Sequence, residues 1–269
     1  MLSTYAQSIF SIPNYLPSKG AAFGVAAVYY AYGIILTIQS IHAKNFNPSR
    51  YAVLIALLLG GAFTARGVYV VKNFDNSSAY TAFSVMDAIA PNFINLVNYI
   101  VLIKLLKSIP HPPPNRVLRG LRVFAIVMAL AFGAVSTAGS VLVTSNASNE
   151  RIDTAVKLVK ASVAGQLSTN ILFVILANVL LLRYREALKN TRTVIIIYVG
   201  GILLVARNSA KIVPSFHPSN TLMRDSEAAW YCLDPLFTLL IIFTWVVLDL
   251  PRRCSQKVAN PAKEYDCAS

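Results

Sequence analysis

The sequence predicts an all-α membrane protein, a bundle of seven transmembrane helices. Three observations point there. The 269-residue chain is 56% hydrophobic and only 13% charged, against roughly a quarter charged in a soluble domain. Its mean hydropathy is +0.58. The apolar residues gather into seven runs, each close to the roughly 20 residues a helix needs to cross the hydrocarbon core. These figures exclude a disordered chain, a collagen and a disulfide scaffold, and they argue against a soluble enzyme. The net charge of +13 is read as topology rather than as a nucleic-acid footprint, because cytoplasmic loops collect lysine and arginine.

Residues 1–20 make a short N-terminal segment without the basic start and short apolar run of a signal peptide. The spans follow at Ala21–Ile41, Tyr51–Val71, Tyr80–Leu106, Leu121–Val143, Leu158–Leu182, Thr193–Val213 and Ala228–Leu250. The loops between them carry breakers: Asn47-Pro48, Asp75-Asn76-Ser77-Ser78, the run from Pro110 to Pro114, Thr144–Asn149 and Pro214–Asn220. Residues 21–250 are thus one transmembrane domain, and 251–269 form a tail. Cys232 reads as a packing residue. Cys254, after Arg252 and Arg253, reads as a free thiol at a membrane edge, with palmitoylation as the alternative. Cys267 is too near the end of the sequence for a prenylation box.

Seven spans put the two termini on opposite sides. The loops after spans one, three and five, with the tail, carry 14 of the lysines and arginines, and the other side carries seven. That bias predicts a cytoplasmic C-terminus and an outer N-terminus. The glycosylation sequons at Asn76 and Asn146 both fall on the side predicted to face out. The bias places Lys104 at the cytoplasmic end of span three, where its stem can snorkel.

A charge inside a span costs about 2.5–3.5 kcal/mol on insertion scales, so each one needs a reason. Four stand out: Arg66, Asp87, Arg207 and Asp234. At 1.5 Å per residue all four lie about 8–10 Å below the outer ends of their spans, in one layer. Gln166 lies about 12 Å down span five, and Glu227 and Tyr231 stand next to Asp234 in sequence. Arg66 with Asp87, and Arg207 with Asp234, are neighbours in chain order, but spacing alone leaves the pairing open. Two readings stand: ion pairs that lock the bundle, or an outward-opening polar pocket that receives a headgroup. Span three adds a stripe of Asp87, Pro91, Asn95 and Asn98 or Tyr99 on one face. Such amides are pocket residues or packing glue. Tyr29, Tyr30 and Tyr32 read as core or lipid contacts.

Nucleotide-binding and nucleophile-elbow motifs are missing, and His42, His111 and His217 all lie outside the spans. No cofactor and no metal site is therefore expected.

The chain resembles the fungal lipid-translocating exporters of the RTA-like (aminocholesterol-resistance) family. The resemblance runs over most of the sequence. It is best from Asp225 to Asp234, which is similar to a Glu…Tyr…Asp signature before the last helix and is followed by a matching Pro251. Ala90-Pro91 and Tyr99 match span-three positions, Arg66 and Arg207 match family arginines, and Lys211 stands for a second arginine. Phe63 replaces a tyrosine, Gln166 is what remains of a Gly-Leu-x-x-Gln motif, and Tyr15-Leu16-Pro17-Ser18 resembles an N-terminal Tyr-x-Pro-Ser. Other family acids and amides fall at Leu59, Met128, Ser136 and Pro214, so the chain is divergent. The resemblance implies a fungal protein that exports or flips amphiphiles such as sphingoid bases and confers resistance to toxic ones.

The expectation is a multi-pass translocator, or a facilitator of translocation, in the plasma membrane. Its partners are membrane lipids or amphiphilic small molecules, and its pocket is lined by Arg66, Asp87, Asn95, Tyr99, Gln166, Arg207, Glu227, Tyr231 and Asp234. In it Asp234 and Glu227 hold a cationic headgroup. A seven-helix receptor or regulator, and an intramembrane lipid or isoprenoid enzyme, are the alternatives.

Overall fold

The computed structural model describes residues 18–43, 49–72, 77–109, 111–144, 149–185, 191–216 and 226–255. Seven stretches of helix are long and apolar enough to cross a membrane. They are α1 (Lys19–His42), α2 (Ser49–Val71), α3 (Ser77–Lys107), α4 (Asn115–Thr144), α5 (Asn149–Arg183), α6 (Thr191–Phe216), and a seventh span built from α7 (Glu227–Leu233) and α8 (Pro235–Val247). A short α9 (Leu250–Ser255) follows. Successive helices pack side by side, and α8 closes the ring against α6 and α1. The end where α1, α3, α5 and α7 begin is called here the N-face, and the opposite end the C-face.

The helix in the middle is α3. It touches α2, α4, α5 and α6, and 78% of its apolar window is buried, against 28% for α1 and for α4. Sequence explains the contrast. α3 is the span with polar residues on a face, and those must be hidden from lipid. The outer helices instead turn plain aliphatics outward, such as Ile34, Ile38 and Ile41 on α1 and Val123, Val127 and Leu130 on α4. Close helix approach is bought with glycine at α5. A Cβ on Gly165 would run into the ring of Phe132 on α4.

The expected spans hold, but several edges move. α5 starts nine residues before the expected Leu158, α4 starts six before Leu121, and α6 continues to Phe216. The extra turns are polar and carry their own support: Lys157 pairs with Asp153 at 2.6 Å on the exposed start of α5. The seventh span is not the continuous helix expected. Proline has no N–H, and the residue before it is pushed out of helical geometry. Asp234 accordingly sits at φ −127°, ψ −72°, and α8 restarts with Pro235 in its first turn. A second break follows at Asp249, whose φ of 51° lets its carboxylate accept the N–H of Arg252 at 3.3 Å and start α9. Part of the expected tail is therefore helical and packs on α1 and α3. Cys232, expected to be a packing residue, is exposed on the outside of the bundle. The sequons at Asn76 and Asn146 lie outside the described residues.

Candidate functional site

The break at Asp234 positions the site. Its carboxylate is buried and lies against two cations of α6: Oδ1 is 2.5 Å from Nε of Arg207, and Oδ2 is 2.8 Å from Nζ of Lys211. Across from it, α3 supplies Asp87, whose Oδ1 is 3.3 Å from Nη2 of Arg207 and whose Oδ2 accepts from Nζ of Lys211 at 2.8 Å. Two carboxylates and two cations from three elements thus form a closed, formally neutral ring. Such a ring suits a membrane interior, because each buried charge has two opposite neighbours. Its members are unequally hidden. The side chains of Arg207 and Asp234 are 1% and 2% exposed, Asp87 is 14%, and Lys211 is 22%. Lys211 is the most exposed of the four.

Both acids stand at proline-weakened turns. Pro91 cannot donate to the carbonyl of Asp87, four residues before it, and Pro235 breaks the helix directly after Asp234. Tyr29 of α1 pins the restarted helix. Its buried hydroxyl lies 3.2 Å from the carbonyl of Pro235 and bonds the hydroxyl of Thr238, which also donates to that carbonyl at 2.8 Å.

Arg66, whose partner the spacing leaves open, lies among aromatic rings. Its guanidinium lies 3.8 Å from the ring centre of Trp230, 5.3 Å from Phe83 and 5.8 Å from Tyr231. Phe63, with ring centres about 6 Å from Phe83, Trp230 and Tyr231, backs this box. Phe83 precedes Asp87 by four residues and Trp230 precedes Asp234 by four. The aromatic box therefore sits one helical turn, about 6 Å, nearer the N-face than the ionic ring. The expected layer of charges is resolved into two storeys: a stacked arginine above and a neutral ring below. Arginine suits the upper one, since its flat, weakly hydrated cation stacks on aromatic faces.

The other expected pocket residues are placed elsewhere. Glu227 accepts the N–H of Ser18 at 2.7 Å, tying α7 to the start of α1. Gln166 donates to Ser162 at 3.2 Å, and Ser162 donates to the carbonyl of Phe132, so this pair belongs to the α4–α5 seam. Tyr99 is buried between Phe173 and Phe124, with ring centres at 4.8 and 6.2 Å. It lies twelve residues beyond Asp87, about 18 Å further along α3. Asn95, also on α3, is about 12 Å beyond Asp87. One member of the ring, Lys211, is absent from the expected pocket. The signal for it was present: Lys211 follows Arg207 by four residues, which puts both cations on one face of α6.

A family model described as RTA1 like protein matches residues 55–257, a stretch that runs from α2 through the end of α9 and contains the ring and the box. The chain belongs to the RTA1-like protein family. No curated protein and no solved structure matches it. Every residue of the two-storey site lies inside the matched stretch, so this RTA1-like chain carries its buried charges within the region that defines its family.

Proposed function

We propose that this RTA1-like protein translocates amphiphiles with a cationic headgroup, sphingoid bases being the type case, with its N-face outward in the plasma membrane. The observation that carries the reading is the position of Lys211. One ammonium group bridges two carboxylates at 2.8 Å each, and it is the most exposed member of the ring. The ammonium of a long-chain base is chemically equivalent to that of lysine. It can take the place of Nζ between Asp87 and Asp234 while Lys211, the most exposed member, swings away from the ring, so the buried charge stays balanced throughout. The broken seventh span supports the same reading, since interrupted helices with exposed ends are the usual frame of binding sites within a membrane. This revises the expected headgroup partner: Asp87, not Glu227, joins Asp234.

Vesicles reconstituted with the full chain and a fluorescent sphingoid base test the reading by its rate of movement between leaflets. Asp234→Asn, which keeps the shape and removes one charge, is expected to abolish protein-dependent movement, with folding checked by gel filtration. Lys211→Gln, which removes the competing ammonium, is expected to tighten binding of the base. Equal rates for wild type and a folded Asp234→Asn chain would overturn the proposal.

A further inference from the structure

The opposite end of the molecule carries a second site of different character. At the C-face, α3 and α4 form an antiparallel pair with a cavity of about 560 Å³ between them. Its walls are Ile100, Ile103, Lys104 and Lys107 on α3, and Asn115, Leu118, Arg119 and Arg122 on α4. Both sets follow the spacing i, i+3, i+4, i+7, so each helix turns one continuous stripe toward the cavity. Four cations meet there, and the described lining contains no aspartate or glutamate.

Helix physics accounts for only half of these charges. Lys104 and Lys107 occupy the last turn of α3, where a cation is favourable. Arg119 and Arg122 lie near the start of α4, whose first turn holds no acid. At the fifth and eighth positions of α4 they gain nothing from its dipole, and both line the cavity opposite the two lysines of α3. Like charges facing one another across a cavity repel, and an anion between them removes that cost. The surroundings specify the anion further. Ile103 and Leu118 give the cavity a buried apolar floor. Beyond Arg122 the adjoining outer side of α4 carries Val123, Ile126, Val127 and Leu130, all exposed on the outside of the bundle. A charged mouth running into an exposed aliphatic track matches a molecule with an anionic head and a hydrocarbon tail.

We propose that this cavity binds an anionic phospholipid, its phosphorylated headgroup held by Lys104, Lys107, Arg119 and Arg122 and its acyl chain lying along α4. Basic pockets between transmembrane helices suit such headgroups, and the volume is in the range of small-ligand sites. The site stands apart from the ionic ring and does not depend on the translocation reading.

Native mass spectrometry of the full chain in a neutral detergent tests it. The titrants are phosphatidylinositol phosphate, phosphatidylcholine with the same acyl chains, and soluble inositol phosphate. Saturable retention of the phosphoinositide is expected, weaker by about tenfold or more in Arg119→Gln/Arg122→Gln, in line with the loss of two cations beside an anionic headgroup. Lys107→Gln, a milder change at an exposed position, is expected to give a smaller loss in the same direction and serves if the double variant does not fold. Equal retention of the phosphoinositide by wild type and both variants, or equal retention of phosphatidylcholine, would overturn the site. Soluble inositol phosphate bound as tightly as the lipid would show a free-anion site and overturn the lipid assignment.

Discussion

The two ends of the bundle treat charge in opposite ways. Toward the N-face, Asp87, Arg207, Lys211 and Asp234 close a neutral ring in which every member has two partners, and three of the four are largely shut away. At the C-face, four cations line one cavity with no acid among the described lining residues. The first arrangement is complete within the chain and changes only by exchange of like for like. The second gathers one sign of charge in one place and gains from an added anion. Burial is the reason for the difference: inside the hydrocarbon layer charge must be balanced on the spot, whereas at the interface water and lipid headgroups also solvate it.

The largest expected effect breaks the ring. Asp234→Ala removes one anion and leaves Arg207 buried with an incomplete set of partners, which should cost about 3–5 kcal/mol of stability. Thermal unfolding in detergent checks this, and an unchanged melting temperature would mean that the ring contributes nothing to holding the bundle. Next comes a change that touches neither end. Gly165→Ala forces a methyl group into the space of Phe132 and should destabilise by about 1–3 kcal/mol, while leaving phosphoinositide binding intact. Arg66→Lys keeps the charge but loses the flat stacking surface on Trp230; about 0.5–2 kcal/mol should be lost, and the quenching of tryptophan emission should change. The smallest effect belongs to the C-face. Arg122→Gln should shift stability by no more than about 0.5 kcal/mol, since an exposed position outside any packed contact tolerates substitution. Raising the salt should weaken lipid binding there without moving the ring's contribution, because screening reaches exposed charges and not buried ones.

Much of the site was legible before the fold. Arg66, Asp87, Arg207 and Asp234 stand out because each is an ionisable group in an apolar run, and their depth follows from the rise of a helix. Their partners were not legible. Arg66 precedes Asp87 in the chain and lies at similar depth, yet it stacks on Trp230, because three aromatic rings from α3 and α7 surround its place on α2. Lys211 stands two residues from the expected end of span six at Val213 and so reads as an outer-face residue; with α6 continuing to Phe216, it lies more than a turn inside the helix and reaches both acids. Glu227 and Gln166 fit a pocket by sequence position, but Glu227 bonds the start of α1, and Gln166 bonds Ser162 on its own helix, which in turn bonds Phe132 of α4.

What the sequence determined by itself is the class of protein, the seven spans, and the short roll of charges that need an explanation. These depend on properties that a residue carries along its own helix: hydropathy, length, periodicity and the geometry of proline. Only the tertiary structure decided which cation of α6 meets which acid, that Arg66 stacks among aromatic rings, and that the basic ends of α3 and α4 share a cavity. Those outcomes depend on how each helix is rotated about its axis and which neighbour it faces. That choice is made by the packing of the whole bundle around α3, where a turn of one residue, about 100°, would point every one of these side chains somewhere else.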